Sequence, residues 1–545
     1  MTIMNQLLTK AISFIEKNEL PYGSFLSAFF GLIFLRLLVE NMIGGFPTRP
    51  FHYFFFEFSH TFLFFLFSFL LFLPLLSRFA KSSIKEAANI LLFGFLIILM
   101  PPVLDWYISG GAGYWSFYEF DGIRGLIARF FTFFGSTPEI GITYGVRIEV
   151  ALSVTFFALY IFLKTRNSLR ALIGSLASYT LFFILGTFPS FITILVSGFS
   201  KGFLAVTETD VASLFLSPNN IFFRPLIDPV SALNFKMSLV YGLLLVIAVG
   251  IFLFIENRKL FLALFHNVRF PQVIYHGGLA LIGVAAAFFF LELPIDLSFF
   301  DILAVLTLIA SVISAWIASV IINDLHDKNI DIITNQNRPL PRNTIDAEMY
   351  RAIGTSFFLA SLILAGSISF KILLLLVCYQ AIAWIYSVPP FRLKRFPLIA
   401  TFLAACASLL ILLSGFFLIA PEGLSSLPKP LLFFLLLSYA LMLPLKDFKD
   451  IKGDRADGVF TIPVLLGENT AKLFIGGAAF LLFTGSVVIL RDSSLMLPAF
   501  LFGSLTFWLI QKSTLDHPTF PYRHLAGWLI TLVGGYGLCI LFILL

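Results

Sequence analysis

The chain has 545 residues, of which 59% are hydrophobic and 12% are charged, and its mean hydropathy is +0.97. Apolar runs of about 20 residues recur along it, which excludes a soluble globular protein and predicts an all-α polytopic membrane protein with about 15 transmembrane helices. The formal charge of +6 does not indicate a nucleic-acid partner, because the basic residues lie in short loops beside apolar spans, where they set topology.

The chain begins with a mildly amphipathic segment, Met1 to Asn18, which lacks the apolar core and cleavage site of a signal peptide. We expect it to form a helix on the cytoplasmic surface of the membrane. About six spans follow, and we assign residues 1–255 to an N-terminal membrane domain of unknown function. These spans are expected near residues 24–43, 53–77, 88–108, 143–163, 170–198 and 237–256.

Two pairs of polar residues interrupt the first two spans. Arg36 and Glu40 are four residues apart, and Glu57 and His60 are three residues apart, so the members of each pair share a helical face. Ionisable groups inside a membrane are costly unless they are paired, and the simplest interpretation is a pair buried between helices. The alternative is a proton or ligand site.

The second half of the chain predicts about nine further spans, which we assign to a domain of residues 256–545. They are expected near residues 273–291, 300–322, 349–367, 371–387, 398–420, 430–445, 471–489, 495–511 and 525–545. Lys and Arg are concentrated in alternate loops. This bias predicts an integral, multi-pass protein of the cell membrane with its N-terminus and basic loops in the cytoplasm and its C-terminus on the opposite side.

Two aspartate clusters with the same spacing lie in these basic loops, at residues 323–331 and 446–454. The spacing i, i+3, i+7 puts three carboxylates on one helical face, where they repel one another unless a cation lies among them. Magnesium (Mg2+) prefers oxygen ligands and is the expected cofactor. The predicted metal ligands are Asp324, Asp327, Asp331, Asp447, Asp450 and Asp454. Asp324, Asp327, Asp447 and Asp450 are the strongest candidates and the predicted catalytic residues, while Asp331 and Asp454 have the alternative role of orienting waters or basic side chains.

Magnesium is usually held by one or two carboxylates together with substrate phosphate oxygens, so two facing clusters would suit a diphosphate. Basic residues on the same side would bind the remaining phosphate charge. The predicted diphosphate-binding residues are Asn323, Arg338, Arg392, Lys394, Lys446, Lys452 and Tyr386. If the diphosphate belongs to an allylic isoprenoid, its neutralisation promotes departure of pyrophosphate, and aromatic rings would stabilise the allylic cation that is left.

These motifs resemble those of the UbiA superfamily of intramembrane aromatic prenyltransferases. The family's NDxxDxxxD motif and following Arg-Pro-Leu turn match Asn323 to Asp331 and Arg338 to Leu340. Its second motif, DxxDxxxD, matches Asp447 to Asp454, and the run Tyr-Ser-x-Pro-Pro-x-Arg-x-Lys matches Tyr386 to Lys394. The resemblance covers roughly residues 260–545. It implies a bundle of nine helices with the Asp motifs after the second and sixth helices.

The resemblance implies magnesium-dependent transfer of a polyprenyl group from an isoprenoid diphosphate to a small-molecule or lipid acceptor. The acceptor stays open among a quinone precursor, a porphyrin-type ring, a lipid glycerol phosphate and a phosphosugar. Two alternatives are an intramembrane terpene cyclase and a non-catalytic carrier or transporter of isoprenoid diphosphates.

One departure from the family pattern is Arg342-Asn343, where many relatives have Ser-Gly or Ala-Gly. Asn tolerates the left-handed conformation, so we expect the turn to be kept.

Overall fold

The structure is a computed structural model that describes residues 2–18, 20–43, 51–217, 228–328, 331–332, 336, 338–421, 423–456, 458–515 and 519–544. Nearly all the secondary structure in these residues is helical, which confirms the predicted all-α polytopic class. The chain divides into two compact units, Met1–Val249 and Gly250–Leu545.

The first unit contains helices joined by short turns and one pair of two-residue strands. Its elements are α1 (Thr2–Lys17), α2 (Tyr22–Ile43), α3 (Phe51–Ala80), α4 (Ile84–Gly94), α5 (Met100–Ile108), β1 (Trp115–Ser116), α6 (Ile123–Phe131), β2 (Ile140–Gly141), α7 (Tyr144–Thr165), α8 (Ser168–Gly186), α9 (Phe188–Lys201), α10 (Glu208–Phe215) and most of α11 (Pro229–Glu256). The strands pair in parallel, with Trp115 opposite Ile140. Polar caps explain several helix starts, such as the reciprocal Ser83 and Glu86 bonds that begin α4.

The span expected near residues 170–198 is wrong as a single helix. The structure has two helices there, α8 and α9, separated at Thr187. Pro189 lies in the first turn of α9, where the missing amide hydrogen is tolerated but the preceding helix cannot continue through it.

The second unit contains the end of α11 and twelve further helices. These are α12 (Arg258–Asn267), α13 (Phe270–Phe290), α14 (Phe299–His326), α15 (Ala347–Ile368), α16 (Phe370–Ser387), α17 (Pro397–Ile419), α18 (Lys429–Met442), α19 (Ile451–Ala456), α20 (Ile462–Leu466), α21 (Glu468–Leu490), α22 (Met496–Lys512) and α23 (Tyr522–Leu544). Between α18 and α19 the chain forms a 3-10 helix, Leu443–Asp450.

Fourteen helices in the described part of the chain are long and apolar enough to cross a membrane, against about 15 expected. Six of the predicted spans in the first half and eight in the second half have such a counterpart. The ninth predicted span of the second half corresponds to α23, whose described apolar stretch His524–Ile540 is shorter than the others.

Helices of the second unit pack closely at positions with small side chains. A Cβ atom added at Gly283 of α13 would lie 1.9 Å from the carbonyl oxygen of Leu412, and one at Gly415 of α17 would lie 1.9 Å from that of Ala280. Glycine therefore lets the two backbones touch. Next to this pair, Ser311 of α14 donates a hydrogen bond of 2.6 Å to the Ser361 carbonyl of α15.

The predicted orientation can be tested at two exposed positions, Glu348 at the start of α15 and Asp296 before α14. With the native cysteines replaced, we expect Glu348→Cys in intact cells to resist a membrane-impermeant maleimide until the membrane is permeabilised. Asp296→Cys is expected to react without permeabilisation, because one span separates the two positions. The opposite labelling pattern would reverse the predicted topology.

Candidate functional site

The first aspartate cluster lies at the end of α14, where Asp324 is only 2% exposed. One of its carboxylate oxygens accepts bonds from Arg269 at 2.8 Å and Arg338 at 3.1 Å. The other accepts bonds from the Tyr350 hydroxyl at 3.1 Å and the Asn267 amide at 3.4 Å. A buried carboxylate with four donors is held in one orientation, so Asp324 is a fixed part of the site.

Asp327 and Asp331 follow the end of α14 rather than extending its helical face. The helix ends at His326, and Asp327 is the residue after it, although the Asp331 amide still donates to the Asp327 carbonyl at 2.9 Å. Asp331 pairs with Arg338. Burial raises the pKa of Asp331 to about 6, and Arg338 opposes this shift. The expected single α-helical face is therefore interrupted in this cluster, because α14 ends between Asp324 and Asp327.

The loop between α16 and α17 brings two more predicted residues to this cluster. Arg392 donates to Asp327 at 3.1 Å, and Lys394, which is 6% exposed, contacts the same carboxylate. Lys394 also donates to the Asn323 side chain at 3.1 Å, as does Ser387 at the same distance. Arg392 has φ +41°, so it turns the chain back towards α14.

The second cluster lies on the 3-10 helix Leu443–Asp450 and on α19, so it too lacks one continuous α-helical face. A 3-10 helix has three residues per turn, which superimposes Asp447 and Asp450 on one side. Between them, Phe448 is 1% exposed and stacks on Tyr522 at 5.2 Å between ring centroids. This buried ring anchors the segment while both carboxylates remain partly exposed.

Electrostatic interactions connect the two clusters. Although burial disfavours its charge, the carboxylates of Asp324 and Asp331 raise the pKa of Arg338, and Asp450 adds to the effect. Burial lowers the pKa of Lys394, and the carboxylates of Asp327 and Asp454 oppose that shift. Each cation therefore pairs with carboxylates of the first cluster and is stabilised electrostatically by one carboxylate of the second.

Two other predicted residues, Lys446 and Tyr386, contact each other beside the second cluster. Lys446 donates to the Tyr386 hydroxyl at 3.4 Å and lies 5.3 Å from the centre of its ring. Lys452 on α19 is exposed and makes no ion pair or side-chain hydrogen bond to either cluster in the described part of the chain. The structure thus places Asn323, Arg338, Arg392 and Lys394 in contact at the first cluster and pairs Lys446 with Tyr386 beside the second, whereas Lys452 joins neither group.

No group of three or more carboxylate, histidine or cysteine side chains among the described residues is arranged to hold a metal ion. The first cluster's carboxylates are instead neutralised by arginine and lysine. Magnesium usually takes one or two carboxylates and completes its coordination with substrate phosphate and water, so the two partly exposed carboxylates of the second cluster suit it. Asp447 and Asp450, with oxygens partly exposed, and Asp327 are the residues that would hold it.

Three contacts to Asp324 escaped the sequence analysis: Asn267, Arg269 and Tyr350. The first two precede α13 and look like ordinary polar residues of a connecting segment, and Tyr350 looks like a packing residue of α15. Only their side of the membrane could have been inferred from the sequence. The expected turn is confirmed, since Asn343 has φ +52° and its amide donates to the Leu340 carbonyl at 3.1 Å.

The sequence analysis also did not identify a group of aromatic side chains on α13, α14 and α16. The His276 ring of α13 stacks on Trp316 of α14 at 4.3 Å, and the Tyr379 hydroxyl of α16 lies 3.5 Å from its Nε2 atom. A small cavity of about 50 Å³ is lined by Trp316, Arg269 and Tyr350.

Comparison with known proteins gives a match to the model of the UbiA prenyltransferase family over residues 280–519. Digeranylgeranylglyceryl phosphate synthase of Methanoculleus marisnigri is 29% identical over 154 residues, 28% of this chain and 54% of that protein. Homogentisate phytyltransferase of Synechocystis is 30% identical over 172 residues, 29% of this chain and 56% of that protein. The chain therefore spans about half the length of the curated relatives it matches.

Solved structures of UbiA homologues also resemble the chain. A homologue from Archaeoglobus fulgidus bound to GPP and Mg2+ aligns with a TM-score of 0.39 and 18% identity, covering 49% of this chain and 96% of that one. A homologue from Aeropyrum pernix aligns with a TM-score of 0.39 and 20% identity, covering 50% of this chain and 99% of that one.

Proposed function

We propose that the second domain of this membrane protein, which matches the model of the UbiA prenyltransferase family over residues 280–519, transfers a polyprenyl group from an isoprenoid diphosphate to an acceptor and releases pyrophosphate. The observation that carries the proposal is the set of ion pairs that Arg338, Arg392 and Lys394 make with carboxylates of the first aspartate cluster. Asp450 and Asp454 of the second cluster also favour the charged forms of Arg338 and Lys394, respectively. Such a set of alternating charges suits a diphosphate and a divalent cation taken up together.

The chain's cations bind and orient the diphosphate in this proposal. Arg338, Arg392 and Lys394 now pair with carboxylates, and an incoming diphosphate competes for them because it offers more negative charge. Each cation that turns to phosphate leaves carboxylate oxygens without a partner. A magnesium ion bound to those oxygens would add positive charge against the leaving pyrophosphate. Donor and metal binding are thus coupled through the same side chains.

The membrane-embedded helices protect the reacting carbon. Departure of pyrophosphate leaves an allylic cation, which water would quench, and the apolar surroundings keep water away. Aromatic faces attract such a cation by about 0.5–2 kcal/mol each. Tyr386 is adjacent to the second cluster, and Trp316 and Tyr379 lie on the helices that carry the site, so these rings are the candidates for that role.

The names of the relatives suggest two acceptor classes. Digeranylgeranylglyceryl phosphate synthases point to a lipid glycerol phosphate, and homogentisate phytyltransferase points to an aromatic ring. The orientation expected from basic loops would open the site to acceptors on the cytoplasmic side. From the same names we favour a geranylgeranyl or phytyl diphosphate as the donor. We favour an acceptor of one of these two classes, with quinone precursors, porphyrin-type rings and phosphosugars as further candidates.

The proposal is tested by measuring pyrophosphate release from purified protein in nanodiscs with geranylgeranyl diphosphate and an acceptor panel. We expect release that needs both magnesium and one acceptor, that stops with EDTA, and that falls by at least about 100-fold in Asp324→Ala, since the carboxylate that holds Arg269 and Arg338 in the site is lost. Mass spectrometry of the product identifies the acceptor.

The same assay separates the alternatives. Pyrophosphate release without any acceptor, giving a cyclised hydrocarbon, would favour a terpene cyclase. Magnesium-dependent binding of the diphosphate without release, across the whole donor and acceptor panel, would favour a carrier. Absence of both binding and release in a monodisperse protein would contradict the proposal.

A further inference from the structure

The first unit contains a cavity of about 780 Å³, many times larger than the one beside the aspartate clusters. Its walls come from α2, α3, α4, α5, α7, α8 and the start of α11, together with residues 112–118. The family match begins at residue 280, so this cavity lies outside it.

The cavity is long in the direction of the helices. On α3 its lining runs from Glu57 to Leu76, about 28 Å at 1.5 Å per residue, and on α7 it runs from Val146 to Tyr160, about 21 Å. These lengths approach the thickness of the hydrocarbon core of a bilayer. A ligand with an extended chain would fit this shape.

Polar side chains line one end of the cavity. Arg36, which is 8% exposed, bonds Glu40 at 2.9 Å and lies 3.8 Å from Glu149. Nearby, Asp105 accepts bonds from the Thr143 hydroxyl at 2.6 Å and the Gly145 amide at 2.7 Å. The predicted Arg36–Glu40 pair is confirmed, but it lies in the wall of a cavity rather than in a closed helix interface.

In the second predicted pair, Glu57 and His60, the histidine bonds a tyrosine. His60 bonds the Tyr118 hydroxyl at 2.6 Å, and Tyr118 donates to Tyr241 at 3.1 Å. Glu57 also lines the cavity. Among the described residues of the lining there are therefore four carboxylates (Glu40, Glu57, Asp105 and Glu149) and one guanidinium, that of Arg36.

The other end of the cavity is apolar and aromatic. Phe72 meets Phe182 at 4.5 Å and Phe157 at 5.5 Å between ring centroids, and all three line the cavity. Tyr160 closes this end, where its hydroxyl donates to Glu16 of α1 at 2.8 Å. A hydrocarbon chain is the natural occupant of such walls.

The cavity reaches the side of the unit near the middle of the spans. Gly94 at the end of α4 and Phe156 of α7 line the cavity and are also exposed, Phe156 by 55%. Phe156 lies about 18 Å along α7 from its start, at a depth where a bilayer would surround the helix. This opening would admit a ligand from the lipid phase.

We propose that the N-terminal domain binds a single-chain lipid whose head group donates hydrogen bonds and carries no phosphate. The carboxylates offer acceptors to a hydroxyl or an amine, whereas a phosphate would be repelled by the excess of carboxylates over the single guanidinium among the described lining residues. The cavity volume suits one chain with a small head, since pockets of about 300–1,000 Å³ hold one medium-sized ligand. This site is separate from the proposed transferase site.

The test uses the full-length protein in nanodiscs with a geranylgeraniol analogue that carries a photoreactive diazirine on its chain. We expect saturable cross-linking to peptides of α3 and α7, found by mass spectrometry. Unlabelled geranylgeraniol or octadecylamine should compete at least 10-fold better than geranylgeranyl monophosphate in the presence of EDTA. Comparison of the alcohol with the amine shows which donor group the head prefers.

A matched pair of variants on α7 locates the site. Ser153 lines the cavity, whereas Thr155 is exposed and outside the lining. Ser153→Trp should reduce cross-linking at least 10-fold and Thr155→Trp should leave it unchanged, with both proteins monodisperse and equally heat-stable. If Ser153→Trp alone lowers heat stability, the smaller substitution Ser153→Leu must show reduced cross-linking for the proposal to stand.

Three results would overturn the proposal: unchanged cross-linking in a stable Ser153→Trp protein, equal competition by the monophosphate, or equal competition by phosphatidylcholine, which would mark an ordinary bilayer lipid. The aspartate site provides an independent control. Asp324→Ala should abolish pyrophosphate release and leave the cross-linking intact, so that failure of either function is seen separately.

Discussion

Replacing Asp447 with Asn is expected to lower pyrophosphate release on the order of 10²–10³-fold without lowering the stability of the protein. The Asp447 carboxylate is partly exposed and has neither a hydrogen bond nor an ion pair among the described residues. Removing its charge therefore breaks no structural contact. It removes negative charge that would hold the metal against the diphosphate. The measurement is kcat/KM for the donor, with the midpoint of thermal unfolding recorded in the same detergent.

A matched control is Asp346→Asn, which also removes one carboxylate from the second unit. Asp346 caps α15 by accepting a bond from the Met349 amide at 2.8 Å, and Asn caps helices about as well as Asp. Its activity should stay within about twofold of the original protein, since the energetic change is only a few tenths of a kcal/mol. Equal activities for the two variants would remove Asp447 from the proposed mechanism.

Unlike replacement of Asp447, replacement of Asp324 is expected to lower the stability of the site as well as its activity. Its two oxygens accept bonds from four side chains, so its loss leaves the partly buried Arg269 and Arg338 with fewer partners. Lost activity in Asp324→Ala therefore combines disorder of the site with loss of the carboxylate. Asp447 separates these two causes, which is why it is the sharper position for a test.

Short motifs and hydropathy in the sequence predicted much of the candidate site. The spacing of the aspartates and the alternating basic loops brought Arg338, Arg392 and Lys394 into the prediction, because loops on one face of a helical bundle lie near one another. The contacts of Asn267, Arg269 and Tyr350 depend on how α13 and α15 pack against α14. That packing has no signature in a single sequence, so these residues were missed.

The first unit shows a similar limit. Intramembrane Arg36 and Glu40 were recognisable as a pair from their spacing. The third member, Glu149, is more than a hundred residues away in the chain and joins them only through the packing of α2 and α7. The cavity depends on such tertiary contacts. Hydropathy predicts where the spans lie in the sequence, but it does not predict a cavity between the packed helices.

Adding a single methyl group at Gly283 is expected to destabilise the second unit by about 1–3 kcal/mol, because the new atom has no room in a packed interface. The Cβ atom of Gly283→Ala would lie 1.9 Å from the Leu412 carbonyl oxygen and 2.9 Å from the Phe416 amide nitrogen. Both are backbone atoms, so α13 and α17 must separate. Gly278→Ala on the same helix is the control, since nothing lies within 4 Å of its Cβ position. A lower thermal midpoint for Gly283→Ala but not for Gly278→Ala, with pyrophosphate release falling in step, would show that this crossing holds the aspartate site together. Equal midpoints would mean that the two helices can move apart at little cost.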